Sequence, residues 1–408
     1  MFDKTKELAE KIKGAGGTLY ITGGAVRDYL LGRTVHDIDL VVFGLDVVDL
    51  VEVLEVESVG ESFPVFIKDG FEIAMGRKEK STGEGHTDYE VYFGSDVTLE
   101  EDAYRRDLTI NAIYIDPLTG AIRDPFAGRS DLDARILRPV SKIHFGEDPL
   151  RVFRVGRFLS ELPDFEIELP TVHLCRETAT SFLSGERVAQ ETDRAFMGSL
   201  PYRYFEFLYM SGALAVWFPE IERMMGVVDR HNGTTWSHVM AMLDEPCTPQ
   251  VGWSILVHDI GKIDTDPADY PSHHGHENCS SLAKSFLSRF ALSSRVARVA
   301  LLTQKYHMKC HRVRESRPGT LWDMCNEIGD IVDFMVLAEV HFLDAHSAGR
   351  DDNYCYLVDV FQLWQLSCEH YSGEEIMEKH GIPPGVRVGE ILRNWRINLF
   401  CGWLSDLE

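Results

Sequence analysis

Strand-forming segments crowd into roughly the first 140 residues of this 408-residue chain and become scarce afterwards. TLYIT at 18–22 reads as a short strand, and GGAVRDYLLG at 23–32 as a turn feeding a helix that stops at Gly32. DIDLVVFG follows, where Asp37 and Asp39 alternate with Ile38, Leu40 and Val42; on a strand, period two puts both carboxylates on one face. VFIKDGFEIAMGR at 65–77 predicts a hairpin turning at Asp69–Gly70, and TDYEVYF at 87–93 another strand. Residues 76–90 are polar and glycine-rich and read as a mobile loop. NAIYIDPLTGAIRDPF at 111–126 predicts a strand, a turn at Pro117–Gly120 and a return, while the opening residues predict a surface helix ending near Gly14. Such a mixture indicates an α/β or α+β head. From EDPLRVFRVGRFLSEL at 147–162 onward the spacing is helical.

A chain of this length exceeds one ordinary core, so about two to four domains or subdomains are expected. Apolar residues make up 44%, enough for globular folding. No uninterrupted apolar run reaches the roughly 18 residues of a membrane span, so no membrane partner is expected. MFDKTKELAEKIKG carries charge throughout and lacks the apolar centre of a secretory signal. The eight cysteines form no CxxC pair, which fits neither a zinc ribbon nor a disulfide framework and points to a reducing, cytoplasmic setting.

Lys and Arg number 41 against 65 Asp and Glu, a net charge of −24 that argues against a broadly basic, nucleic-acid-coating surface. Between Arg123 and Arg157, however, eight basic side chains outnumber five acidic ones, leaving room for a local polyanion groove. The last stretch, 351–408, has ten acidic and four basic residues and is no arginine-rich anchor.

Two aspartates spaced i, i+2 at a strand edge offer hard oxygen ligands of the kind that suit magnesium, though most lone DxD pairs are solvated loop or strand ends. Gly23 and Gly24, between a strand and a helix, can close backbone amides around a phosphate or simply make a tight turn. Arg27, one turn into that helix, can face a triphosphate, with Asp28 orienting it. Glu72 alternates with Phe71 and Ile73 on a neighbouring predicted strand and either faces the aspartate pair or lies on the strand surface. A second cluster begins at His238 in WSHVMAML, continues at His258 and Asp259 in LVHDIGK, and is followed by His273, His274 and His276 in PSHHGHE and by His307 and His311 in QKYHMKCH. Adjacent His and Asp ligands joined by a histidine from an earlier helix begin a divalent-metal site.

GGAVRDYLLG followed by HDIDLVV resembles the signature of class II tRNA nucleotidyltransferases, the CCA-adding enzymes and bacterial poly(A) polymerases. RKEKSTGEGHTDYEV, DVTLEEDAYRRDLTINAIYID, DPFAGRSDL, FGEDPLRVFRVGRF and ERVAQETDRAF agree with it in order. The resemblance implies an α/β nucleotidyltransferase head with a small mixed sheet, followed by an all-helical neck and an HD-type domain. It divides the chain into a head at 1–140, a neck at 141–225, an HD-type metal-dependent phosphohydrolase domain at 226–350 and a helical acidic part at 351–408. It places Gly23, Gly24 and Arg27 on the nucleotide phosphates, and Asp37 and Asp39 on two catalytic Mg2+ ions. Arg105, Arg106 and Asp107 would lie near the nucleotide, with Asn111 on the ribose or triphosphate side. Asp148 and Arg151 would read the Watson–Crick edge of the incoming base, and Arg154 and Arg157 would line the same cleft. The implied reaction is template-independent addition of CCA to the tRNA 3′ end from CTP and ATP, releasing pyrophosphate, by a monomer or homodimer. Addition of A alone, poly(A) synthesis, RNA binding without catalysis and phosphohydrolysis alone are the alternatives.

The histidine-rich part resembles the carboxy-terminal domain of gammaproteobacterial CCA-adding enzymes, which implies hydrolysis of 2′,3′-cyclic phosphates, 2′-nucleotides and other phosphoesters. His274, His276 and His307 are further candidates for that site. In DAHSAGR at 344–350, His346 stands where the family pattern has an aspartate ligand, and Asp344 is the other candidate to complete the set. An imidazole there would favour Ni2+, Co2+ or Zn2+.

Overall fold

The computed structural model describes residues 2–58, 64–81, 89–229, 233–350 and 352–407. Its two units are Met1–Val155 with Leu162–Phe182, and Gly156–Glu161 with Leu183–Glu408. The first unit therefore reaches beyond residue 140.

In the first unit, helix α1 (Phe2–Gly14) buries Leu8, Ala9 and Ile12, one stripe of an amphipathic helix. Strand β1 (Thr18–Thr22) buries Leu19 and Ile21 and runs without a separate turn into helix α2 (Gly23–Leu30). Next come β2 (Asp39–Phe43), α3 (Val47–Leu54), β3 (Val65–Lys68) and β4 (Phe71–Met75). Strands β5 (Arg77–Ser81) and β6 (Tyr89–Phe93), helix α4 (Leu99–Tyr104), β7 (Tyr114–Ile115) and β8 (Ile122–Arg123) complete the head. The six-stranded sheet has the order β3-β4-β2-β1-β7-β8. Only β2 and β4 pair parallel, so the sheet is small and mixed as expected.

The Asp69–Gly70 turn forms as its sequence predicts. Lys68 pairs with Phe71, and both turn residues take positive φ, 54° and 80°, which is the demand of a two-residue type I′ turn. Two expectations are corrected. Residues 77–81 are not loop: β5 pairs antiparallel with β6 from Arg77↔Phe93 to Ser81↔Tyr89, while 82–88 lie outside the described residues. The charged run RKEKS hides this because the ladder is made by the backbone, whereas a loop reading rests on side-chain polarity. Nor does β2 contain Asp37: its pairing with β1 begins at Thr22↔Asp39, where β1 ends, so Asp37 precedes the strand and period two does not govern it.

Among the described residues, the second unit is helical apart from the small pairing of Val228–Asp229 with Gly233–Thr234. Helix Pro249–His258 is capped by the Thr248 hydroxyl and begins with proline, which has no amide to lose there. It buries Trp253 against Phe196, Phe218, Phe286 and Phe290. Helices Ser294–His311 and Ile331–Ser347 pack against it. The acidic carboxy-terminal stretch also belongs to a core: Tyr356, Leu357, Val360, Phe361, Phe400 and Leu404 bury against Leu321, Trp322, Cys325 and Phe334. No helix among the described residues is long and apolar enough to cross a membrane.

Trp253 holds in place the helix that ends at His258. Trp253→Ala is expected to destabilise the second unit by about 3–5 kcal/mol, read as a lower denaturant midpoint of the helical circular-dichroism signal.

Candidate nucleotide and metal sites

The first site forms where β1 meets α2. The Thr22 hydroxyl donates to Ile113 O and does not cap the helix, which leaves the amides of the first turn of α2 without a side-chain acceptor. Gly23 has φ +68°, and a Cβ on it would stand 2.9 Å from Asp39 Oδ2 and 3.7 Å from an Arg106 nitrogen. Glycine is thus required by conformation and by the closeness of the carboxylate.

Parallel pairing sets Asp39 opposite Glu72, so the residue read as either site or surface stands beside the aspartate. Enclosure raises the Asp39 carboxyl, the Arg106 guanidinium opposes that, the charges of Glu72 and Asp37 add to it, and Arg27 opposes it. Glu72 and Asp37 are therefore both close enough to act on Asp39.

Arg27 is buried. Its Nε and Nη2 donate to the two oxygens of Asp28 at 2.9 and 3.1 Å, so Asp28 orients Arg27 as the sequence suggests. Its Nη1 donates to Asn111 Oδ1 at 3.2 Å. Asn111 sits in a 3-10 turn, Thr109–Asn111, and donates to Asp107 Oδ1 at 3.1 Å. Arg154 reaches Asp107 Oδ2 at 2.7 Å. Burial would raise Asp107; Arg154 and the hydrogen bonds outweigh it and hold the carboxyl well below its ordinary range. One polar chain thus joins α2, the 105–111 segment and the helix Leu150–Glu161.

Arg105 and Arg106 share the fully buried Asp102, and Arg106 also meets Tyr114 Oη at 3.0 Å. Arg151 directs its guanidinium at the backbone carbonyls of His144 and Arg105. Asp148 accepts from Leu150 N at 3.2 Å, at the start of the helix. Arg157, further along the same helix, has acidic partners of its own. It is buried in the second unit, bonded at 2.6 Å to both Glu191 and Glu161. Sequence spacing extended the arginine stripe because it could not see Glu191, 34 residues away.

The second site is a cavity of about 590 Å³ lined by His238, Asp259, His276, His307 and Asp344 among others. His258, His276 and His307 each direct Nδ1 at a carbonyl three residues earlier, Ile255 O, His273 O and Gln304 O, at 2.7, 2.7 and 2.9 Å. A carbonyl only accepts, so each Nδ1 carries a proton, and each Nε2 is the atom that a neutral ring can offer to a cation. These Nε2 atoms converge on Asp259: His258 Nε2 lies 3.2 Å from Oδ2, and His276 and His307 Nε2 lie 3.0 and 3.4 Å from Oδ1. The buried His258 Nε2 makes no hydrogen bond; its contact with Asp259 is close but out of line. His276 and His307 Nε2 stand 3.1 Å apart. Acceptors gathered this way fit a divalent cation, in two groups that share Asp259: His238, His258 and Asp259, and Asp259, His276 and His307.

Asp344, not His346, faces the first group. Asp344 is buried with Oδ1 3.3 Å from His238 Nε2, and is held by His311 at 2.6 Å and Arg350 at 2.9 Å. His346 is exposed and stacks on Phe342. Two residues along a helix turn a side chain through about 200°, so Asp344 and His346 face opposite sides. His274 lies exposed on the cavity wall, outside both groups. Sequence reading assigned no role to Asp229 and Lys262. Lys262 Nζ bridges Asp259 and Asp229 at 2.7 and 2.6 Å. The i, i+3 spacing of Asp259 and Lys262 on HDIGK was a usable signal; Asp229, in the small strand pair, had none.

The head resembles a known class. A family model described as the poly A polymerase head domain matches residues 19–138, and one described as the probable RNA and SrmB-binding site of polymerase A matches 164–225. The CCA-adding enzyme of Bacillus stearothermophilus in complex with CTP shares the fold, with a TM-score of 0.72 at 22% identity over 99% of this chain and 97% of that one. The Thermotoga maritima CCA-adding enzyme complexed with tRNA does so with a TM-score of 0.62 at 19% identity, over 100% and 95%. The first unit is thus a nucleotidyltransferase head of the poly(A) polymerase type.

The multifunctional CCA protein of Pseudomonas fluorescens is 39% identical over 75% of this chain and 78% of its own length. That of Pseudomonas paraeruginosa is 36% identical over 93% and 96%. The chain belongs to the multifunctional CCA protein family.

The placement of Asp344 and His346 separates their roles. Asp344→Ala is expected to abolish stoichiometric Co2+ or Ni2+ binding to the purified chain, whereas His346→Ala leaves it within about twofold of wild type, both read by metal titration and elemental analysis.

Proposed function

We propose that this chain adds and repairs the 3′-terminal CCA of tRNA from CTP and ATP, releasing pyrophosphate. The observation that carries this reading is Asp39 between Glu72 and the Gly23 end of α2, with Arg27 and Arg106 supplying positive charge. Asp37 and Asp39, with Glu72 beside them, would hold Mg2+, which when bound lowers the pKa of an attacking 3′-hydroxyl and offsets phosphate charge. The open amides at the start of α2 and the guanidinium groups of Arg27 and Arg106 bind triphosphate oxygens. Asn111 and Asp107 keep Arg27 aligned and link it to Arg154. Asp148 and Arg151 offer an acceptor and a forked donor to the edge of cytosine or adenine. In the free protein Arg151 rests on backbone carbonyls that a base edge can replace, and Asp148 accepts from the Leu150 amide. The tRNA end is recognised by shape, through phosphate and 2′-hydroxyl contacts.

The second site is proposed to hydrolyse small phosphoesters, 2′,3′-cyclic phosphates among them. His238, His258, Asp259 and Asp344 would hold one cation, and Asp259, His276 and His307 a second. Mixed imidazole and carboxylate ligands suit Ni2+, Co2+ or Zn2+, and this now rests on the histidines and not on His346. The chain works in the cytoplasm, where its tRNA and nucleotide substrates are.

The test supplies each labelled nucleoside triphosphate to tRNAs lacking one, two or three of their 3′-terminal nucleotides. Ordered incorporation of C, C and A is expected; addition of A alone or of long A tails would replace this reading by the narrower polymerases. Asp37→Ala and Asp39→Ala should each lower incorporation by at least about a thousandfold while tRNA binding, carried by distributed phosphate contacts, stays within about threefold. His258→Ala should abolish cyclic-phosphate hydrolysis and leave incorporation unchanged.

A further inference from the structure

The head contains one fully buried charge to which the proposed chemistry assigns no task. Asp102, in the last part of α4, has no exposed side-chain surface. Its Oδ1 accepts from Arg105 Nε and Nη2 at 3.0 and 2.6 Å and from the backbone amide of Arg77 at 3.2 Å. Its Oδ2 accepts from Arg106 Nε and Nη2 at 3.3 and 3.1 Å and from Tyr114 Oη at 2.7 Å. One carboxylate therefore serves two guanidinium groups, a phenol and the first residue of β5.

Arg106 is fixed from several sides by this arrangement. Nε also meets Tyr114 Oη, Nη1 donates to Asn111 O at 3.2 Å, and the guanidinium lies over the Tyr114 ring. Its Nη1 is the nitrogen 3.7 Å from where a Gly23 Cβ would stand, beside the Asp39 carboxylate. Two arginines on one aspartate leave a surplus positive charge, and it faces the end of α2. Holding a flexible guanidinium in place before a ligand arrives removes an ordering cost from binding.

We infer that Asp102 is a positioning residue for nucleotide transfer: it holds Arg106 ready for the phosphates of the incoming nucleotide and ties that arginine to the root of the β5–β6 arm. This rests on the reading of Arg106 as a phosphate contact. Asp102 touches neither nucleotide nor RNA and acts through Arg106. The competing account is that Asp102 only staples α4 to the sheet, in which case its loss lowers stability and leaves nucleotide affinity alone.

The experiment uses the full chain and compares Asp102→Asn, Arg106→Gln and the double variant. Equilibrium CTP and ATP binding, KM and kcat for incorporation, tRNA affinity and thermal unfolding are measured for each. Asp102→Asn is expected to raise Kd and KM for both nucleotides by about ten- to a hundredfold, with a smaller change in kcat and tRNA affinity unaltered. The double variant should bind nucleotide no more weakly than Arg106→Gln alone, because both changes remove one interaction. Additive losses, or unchanged nucleotide affinity in Asp102→Asn when Arg106→Gln has lost it, would overturn the positioning role. Wild-type affinity in Arg106→Gln would instead overturn the phosphate-contact reading, and the positioning role with it. Tyr114→Phe keeps the ring and removes the hydroxyl shared by Asp102 and Arg106. Should Asp102→Asn fail to fold, a severalfold rise in nucleotide KM in Tyr114→Phe supports the proposal and an unchanged KM rejects it.

Discussion

Both sites of this chain face the same physical demand: carboxylates must be gathered at one point without driving the fold apart. Like charges at close range cost several kcal/mol when water is excluded, so each cluster needs positive charge or a cation built in around it. The head meets the demand with arginines. Enclosure, Glu72 and Asp37 leave the Asp39 carboxyl raised, and Arg106 and Arg27 offset that in part. The second unit meets it with Lys262 on Asp259 and Asp229, Arg350 on Asp344, and imidazoles converging on both aspartates. The difference matches the chemistry proposed for each site. Guanidinium is always charged and forks onto phosphate, whereas a neutral imidazole offers a lone pair to a metal.

Much of the head was legible because its signals are local. Asp69–Gly70 is a turn that chemistry forces, and the Leu19/Ile21 alternation marks a strand without any knowledge of its neighbours. The adjacency of Glu72 to Asp39 could not be read so directly: it depends on the parallel pairing of β2 with β4, a register that no local pattern encodes. Arg157 failed for a related reason. Helical spacing states which face a side chain shares, but the partner that claims it, Glu191, arrives from another helix.

The second site divides the same way. His258 and Asp259 announce themselves as neighbours in sequence, and His276 and His307 as members of histidine-rich stretches. The choice between Asp344 and His346 stayed open until the helix Ile331–Ser347 fixed which side faced inward. The buried environment of His341, one turn before Asp344, marks that inward face.

His258, His276 and His307 all obtain their tautomer from a main-chain carbonyl three positions earlier, none from a neighbouring side chain. The instruction that sets each ring's donor and acceptor is therefore written in backbone curvature, a property shared by nearly every residue able to adopt a helical turn. Residues Ile255, His273 and Gln304 can drift in identity without unsettling the electronics of the rings they steady. A histidine cluster supported in this manner tolerates turnover of its surroundings, and it is lost through unwinding sooner than through substitution nearby.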